Sequence, residues 1–204
     1  MKKIKLNKIP YLFKNINLPY EVHISNKIAP VDGSIIVVQA QENEGKKDDF
    51  DLYKLYKSVA CAVKKVTEAK PVKVALVIEE HWMKKYPVAK AVKAAVESIK
   101  LANYLFNKYK SEEDKKNKPF EDVFLCLTAG KLSLAEQGLE RGEIVANAVN
   151  FARDLINEQP EVTSPSFLAQ AAQNLASESN GNIIVKIFDK QDIAKLGMNS
   201  FLGV

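Results

Sequence analysis

At 204 residues the chain is longer than one average domain and shorter than two, and with 47% hydrophobic and 27% charged residues it has the composition of an ordinary globular protein. Two cysteines, Cys61 and Cys126, and two histidines, His23 and His81, lie too far apart for a disulfide framework, a CxxC redox pair, a cysteine- or histidine-built metal site or a serine triad. The net charge of +5 rests on 28 lysines and only two arginines, Arg141 and Arg153, in basic pairs scattered among acids, which is a solvated surface and not the arginine-and-aromatic face of a nucleic-acid reader.

Residues 20–29 (YEVHISNKIA) alternate apolar and polar and predict a strand. Asp32-Gly33 marks a turn, and the β-branched run 34–39 (SIIVVQ) predicts a strand covered on both faces. The polar stretch 41–49 is a loop. Residues 50–69 predict a helix with Leu52, Leu55, Tyr56, Val59, Ala60, Val63 and Val66 on one face. Lys70-Pro71 ends it, and residues 72–78 (VKVALVI) predict a second buried strand.

Residues 88–110 carry the clearest helical period, through Val88, Val92, Ala95, Ile99, Ala102, Phe106 and Tyr109. A solvated loop at 111–118 and a third strand at 122–127 (DVFLCL) follow. Residues 134–156 predict a long amphipathic helix through Ala135, Leu139, Gly142, Val145, Val149, Ala152 and Ile156. Strands alternating with long helices predict an α/β fold with a mixed, mainly parallel sheet.

Beyond that helix, residues 157–165 (NEQPEVTSP) hold two prolines and no apolar period and read as a linker or an extended crossing segment. Ser164 is placed to cap a helix over 165–178, with Pro165 at its first position. Asn180-Gly181 predicts a turn and residues 183–188 a strand. Asp189 caps a short helix, 190–196, with Asp192 in its first turn and Gly197 at its end. Residues 201–204 begin another apolar run. No stretch approaches the roughly 18 apolar residues of a membrane span, and the basic start lacks the continuous apolar core of a signal peptide. The expectation is a cytoplasmic protein with no membrane or nucleic-acid partner. Residues 1–156 read as a finished domain and 157–204 as the opening of a second.

The candidate groups are few. His23 sits in a strand without a second ligand nearby, and His81, after Glu79-Glu80, reads as part of a surface loop. Cys61 and Cys126 read as small buried hydrophobes. Gly130, Gly138 and Gly142 are too widely spaced for a phosphate-cradling loop, and Gly138 and Gly142, four apart, indicate close helix packing. Arg153-Asp154 could anchor the following linker by an ion pair. Residue types and spacing alone assemble no catalytic constellation.

Three segments nevertheless resemble one family. Residues 150–160 with Ser164-Pro165 (NFARDLINEQP…SP) are similar to the N-x-A-R-D-L-x-N-x-P-P-N-x-x-T-P segment of leucyl aminopeptidases, the cytosol aminopeptidase family. Residues 193–204 (IAKLGMNSFLGV) resemble its L-G-M-x-x-x-L-x-V run, and residues 101–110 (LANYLFNKYK) its L-A-x-Y-x-F-x-x-Y-K helix. The sequence departs from the family at Gln159-Pro160-Glu161, where Pro-Pro-Asn is usual, and at Thr163-Ser164-Pro165, where Leu-Thr-Pro is usual.

The resemblance implies a three-layer α/β/α macro-domain-like sandwich followed by the truncated start of a second α/β domain. It implies a hexameric enzyme that removes N-terminal residues from peptides with two divalent metal ions, zinc or manganese. In that family the metal-binding aspartates, glutamate and lysine, and the assisting lysine and arginine, all follow the L-G-M-x-x-x-L-x-V run. The expectation is therefore that this chain supplies no catalytic, cofactor-binding or metal residue, holds no metal and is inactive alone. The alternative is a free-standing macro-like module binding ADP-ribose or a similar nucleotide, with residues 31–38 (VDGSIIVV) approaching the ligand. Against it, Gln39-Ala40-Gln41 stands where such modules carry an Ala-Asn pair.

Overall fold

The computed structural model describes residues 3–8, 23–24, 35–39, 52–68, 73–77, 80–115, 122–127 and 132–203. These divide into two compact units, Met1–Arg153 and Asp154–Val204.

The first unit is α/β. Its strands are β1 (Lys3–Lys8), β2 (His23–Ile24), β3 (Ile35–Gln39), β4 (Lys73–Val77) and β5 (Asp122–Leu127), joined in the order β1-β5-β4-β3-β2. β1, β5, β4 and β3 run parallel, with Ile4 opposite Val123, Val123 opposite Val74, and Val74 opposite Ile36. β2 runs antiparallel to β3, His23 opposite Val37. The strand expected over 20–29 is described only at His23–Ile24; its other positions, like the turn at 32–33, the loop at 41–49 and Gly130, lie outside the described residues. β1 was not anticipated. Its alternation of polar residues with Ile4 and Leu6 is the same period-two signal as at 20–29, and β5, more than a hundred residues away, supplies its parallel partner.

The helices of this unit are α1 (Leu52–Glu68), α2 (Glu80–Lys85), α3 (Val88–Ala102) and most of α4 (Leu132–Asn157). Right-handed crossovers from β3 to β4 and from β4 to β5, advancing in one direction across the sheet, place α1 and α3 on the same face, and the two helices pack together. The core joins Leu55, Val59 and Val63 of α1 to Val92, Ala95, Val96 and Ile99 of α3, Leu76 of β4, and Val123 and Leu125 of β5. Cys61 is exposed, contrary to the sequence expectation. At 100° per residue it falls opposite the Leu55, Val59 and Val63 stripe. Cys126 lies in β5. His81 belongs to α2 and not to a loop.

α3 stops at Ala102, eight residues before its apolar period does; Asn103 closes it through an N–H bond to the Ile99 carbonyl of 3.0 Å. Residues 104–107 are irregular, so Phe106 and Tyr109 leave the stripe and their rings pack on each other at 6.0 Å. On α4 the expected single stripe divides: Ala135 and Ala146 are fully buried, whereas Val145 and Val149 are exposed.

In the second unit the segment after α4 is a compact turn and not an extended crossing: the Gln159 carbonyl accepts from the Val162 and Thr163 amides at 2.9 and 3.0 Å. α5 (Pro165–Glu178) begins as expected, with the Ser164 side chain accepting from the Phe167 amide at 3.3 Å and Pro165 in the first turn. Asn180 and Gly181 turn the chain with φ of 51° and 84°. The strand expected over 183–188 is absent: these described residues have no regular secondary structure and no pairing strand, and Ile184 is 93% exposed. An apolar β-branched run becomes a strand only when another edge receives its amides and carbonyls. Asp189 caps α6 (Lys190–Lys195) by accepting from the Asp192 amide at 2.8 Å. Gly197, at φ 69°, leaves the helix through a left-handed residue, and a single 3₁₀ turn, Asn199–Phe201, takes the place of the next apolar run.

Candidate functional site

The most buried polar group among the described residues of known side-chain position is a cluster between α1 and α3. Glu97 of α3 is 5% exposed and Ser98 3%. The Tyr56 hydroxyl of α1 donates to Oε2 of Glu97. Ser98 Oγ donates to the Tyr56 carbonyl at 2.6 Å, so the tyrosine is held at both its backbone and its phenol. Lys93, one turn before Glu97, places Nζ 3.0 Å from Oε1, an ion pair whose alignment falls outside hydrogen-bond geometry. Burial pushes the Glu97 carboxyl above the usual carboxylate range. The arrangement ties α1 to α3 through a carboxyl whose protonated form burial favours.

This cluster escaped the sequence reading because Glu97 lies off the apolar stripe. What buries it is the confinement of α3 between two helices. On its other side α3 meets α4 at backbone distance: a Cβ built on Gly138 would stand 2.3 Å from the Ala89 carbonyl oxygen, and one on Gly142 would stand 2.9 Å from that of Lys93. The two glycines are therefore packing residues, as their spacing indicated. The available signal for Glu97 was the Lys93–Glu97 pair at i, i+4 inside an otherwise small and apolar run.

A second polar cluster fastens the end of α3 to α4. Lys100 Nζ lies 2.9 Å from Asn147 Oδ1 and 3.2 Å from Glu143 Oε1. Asn150 Nδ2 donates to the Lys100 carbonyl at 3.4 Å, and an Arg153 guanidinium N–H donates to the Leu101 carbonyl at 3.0 Å. Arg153 was expected to anchor the linker that follows it; the structure directs its side chain to α3, 5.5 Å over the Tyr104 ring.

His23, His81, Cys61 and Cys126 sit on four different elements, β2, α2, α1 and β5. Among the described residues no group of three or more His, Cys, Asp or Glu is placed to hold a metal ion, so these residues do not fit a dimetal centre. No helix among them is long and apolar enough to cross a membrane.

Two family models match the chain in order. The N-terminal domain of the cytosol aminopeptidase family matches residues 44–113, and the catalytic domain of the same family matches residues 150–204. A probable cytosol aminopeptidase of Campylobacter jejuni is 44% identical over 122 residues, covering 57% of this chain and 25% of that protein. One of Methylobacillus flagellatus is 34% identical over 161 residues, covering 78% of this chain and 32% of that protein. The chain thus spans about a quarter and a third of the length of these two relatives. Among solved structures, a tomato leucine aminopeptidase mutant superposes with a TM-score of 0.63 at 18% identity, covering 74% of this chain and 30% of that one. A bottromycin maturation enzyme solved in complex with manganese superposes at 0.50 and 19%, covering 65% and 26%. At these identities the structural likeness shows an α/β fold.

Proposed function

Since the chain belongs to the cytosol aminopeptidase family, we propose that it is the N-terminal portion of a metal-dependent aminopeptidase that removes N-terminal residues, leucine among them, from peptides. The observation that carries this reading is the order of the two matches, with the catalytic-domain match opening at Asn150 inside α4. On this reading residues 1–156 are a macro-domain-like three-layer sandwich that serves assembly, and residues 157–204 open the peptidase domain. The full assembly is a cytoplasmic homohexamer acting on peptides.

When bound, two divalent metals would activate a water and hold the scissile carbonyl. Their ligands, on the family resemblance, come from sequence after the L-G-M run, here Leu196-Gly197-Met198. The residues of this chain would contribute the scaffold: β1, β3, β4 and β5 with α1 and α3 packed on them, and the α3–α4 contact leading into the peptidase segment.

The test is an assay of the purified 204-residue chain on a leucine chromogenic substrate with added zinc or manganese. We expect no turnover. Turnover that follows the chain through successive columns would place catalytic groups within these residues and overturn the proposal.

A further inference from the structure

We infer that Asn150 and Arg153 form a lock that ends α3 at Ala102 and holds residues 104–109 out of the helix their own sequence encodes. The local sequence contains one weak stop signal, Asn103, and no strong one. No glycine or proline occurs between Val88 and Lys118, and the apolar period runs on through Phe106 and Tyr109. In a continued helix the Lys100 carbonyl would accept from the Tyr104 amide and the Leu101 carbonyl from the Leu105 amide. These are the two carbonyls that Asn150 and Arg153 take, at 3.4 and 3.0 Å.

The lock is self-consistent. The Asn150 side-chain oxygen accepts from the Arg153 guanidinium at 3.5 Å while its amide group serves Lys100, so one residue orients the other. A cation at the last carbonyls of a helix is favoured by the helix dipole. A carbonyl has two lone pairs and can accept twice, so occupancy alone does not exclude the helical bonds. The Tyr104 ring lies 5.5 Å from the same guanidinium, a contact made at the first residue past Asn103. Lys100, paired with Asn147 and Glu143, fixes the distance between the two helices one turn earlier. The two halves of the lock come from the two matched segments, α3 from the N-terminal-domain match and Asn150 and Arg153 from the opening residues of the catalytic-domain match. The length of α3 therefore depends on Asn150 and Arg153, which open the catalytic-domain match.

The test uses backbone chemical shifts and amide exchange of the full 204-residue chain. In Arg153→Ala, Cα shifts at 104–107 should move to helical values, and exchange of the Leu105 amide should slow by about tenfold, the worth of one hydrogen bond. Asn150→Ala should move Tyr104 in the same direction and leave Leu105 less changed. If Arg153→Ala does not fold, Arg153→Lys, which keeps the charge but loses the planar fork, should show the same shift in part. A folded variant, judged by wild-type shifts over 88–99, that keeps wild-type shifts at 104–109 overturns the inference for either substitution.

Discussion

Tyr56 of α1 gives its phenolic hydrogen to Glu97 of α3, and that bond joins two helices that share one buried core. The neighbouring Ser98 fastens the same tyrosine through its carbonyl. The carboxyl is almost fully buried, and the phenol and the Lys93 ammonium are what it has in exchange for lost water. Tyr56→Phe removes that donor without changing the shape of the ring. It should cost about 1.5–3 kcal/mol, the range for a hydrogen bond to a charged group. Urea unfolding at neutral pH measures it, with an unchanged m-value as the sign that the folded state is otherwise the same.

The same carboxyl gives the unit a pH dependence of definite sign. Burial raises the Glu97 pKa in the folded chain, so the folded state holds the proton more tightly than the unfolded one. Its contribution is then fully present below the unfolded carboxyl pKa and declines as pH rises through the folded value. Glu97→Gln keeps an acceptor for Tyr56 and cannot ionise. Relative to the native chain it should gain stability as pH rises from about 4, the unfolded carboxyl value, towards neutrality. Parallel unfolding series across that range test this; curves for the two proteins that keep a constant separation would contradict it.

Gly138 sets how closely α3 and α4 approach. In an exposed helix interior, glycine to alanine is worth about 1 kcal/mol of added stability. Here the added methyl would lie 2.3 Å from a backbone carbonyl oxygen of Ala89, and only movement of a whole helix can relieve that. Gly138→Ala should therefore destabilise by about 1–3 kcal/mol net. Gly142→Ala meets Lys93 O and Val96 at 2.9 Å and should cost less. Thermal unfolding of the two variants side by side decides the order.

The sequence made legible those features whose causes are local. The cap at Ser164-Pro165, the left-handed exit at Gly197 and the span 122–127 each depend on residues within a turn or a strand of themselves. The glycine spacing on α4 foretold the close helix contact, because two small residues four apart lie on one face. What was hidden depended on distant partners. The end of α3 answers to Asn150 and Arg153, some fifty residues on. Residues 183–188, with a good strand composition, have no described strand beside them. Likewise the absence of a catalytic constellation from the sequence patterns was a statement about spacing, and the family assignment came from motifs that carry no metal ligand.

The two caps of the second unit should be separable. Ser164→Ala removes the acceptor for the Phe167 amide and should cost α5 about 1 kcal/mol. Asp189→Ala removes a charged acceptor at 2.8 Å from the Asp192 amide and should fray α6, only six residues long, far more completely. Amide exchange resolves them: a fewfold faster exchange confined to the first turn of α5 in one variant, and loss of protection throughout α6 in the other. Uniform loss across both helices in either variant would show that the caps act on one cooperative unit.

Metal addition offers a thermodynamic test that needs no substrate. A ligand that binds the folded chain alone stabilises it by about 2.7 kcal/mol at a hundred times its dissociation constant, which raises the melting temperature by several degrees. Among the described residues no cluster of three or more metal-ligating side chains exists, and the two histidines and two cysteines sit on four separate elements. Manganese is the better probe, since its preference for oxygen ligands avoids the thiols that would bind zinc in the unfolded chain. The melting temperature of the 204-residue chain should therefore be the same in millimolar manganese and in chelator. A rise with manganese that chelator reverses would reveal a site built from this chain's own carboxylates. It would then be mapped by the line-broadening that the paramagnetic ion imposes on nearby amides, and the assignment of all metal ligands to sequence beyond the L-G-M run would fail.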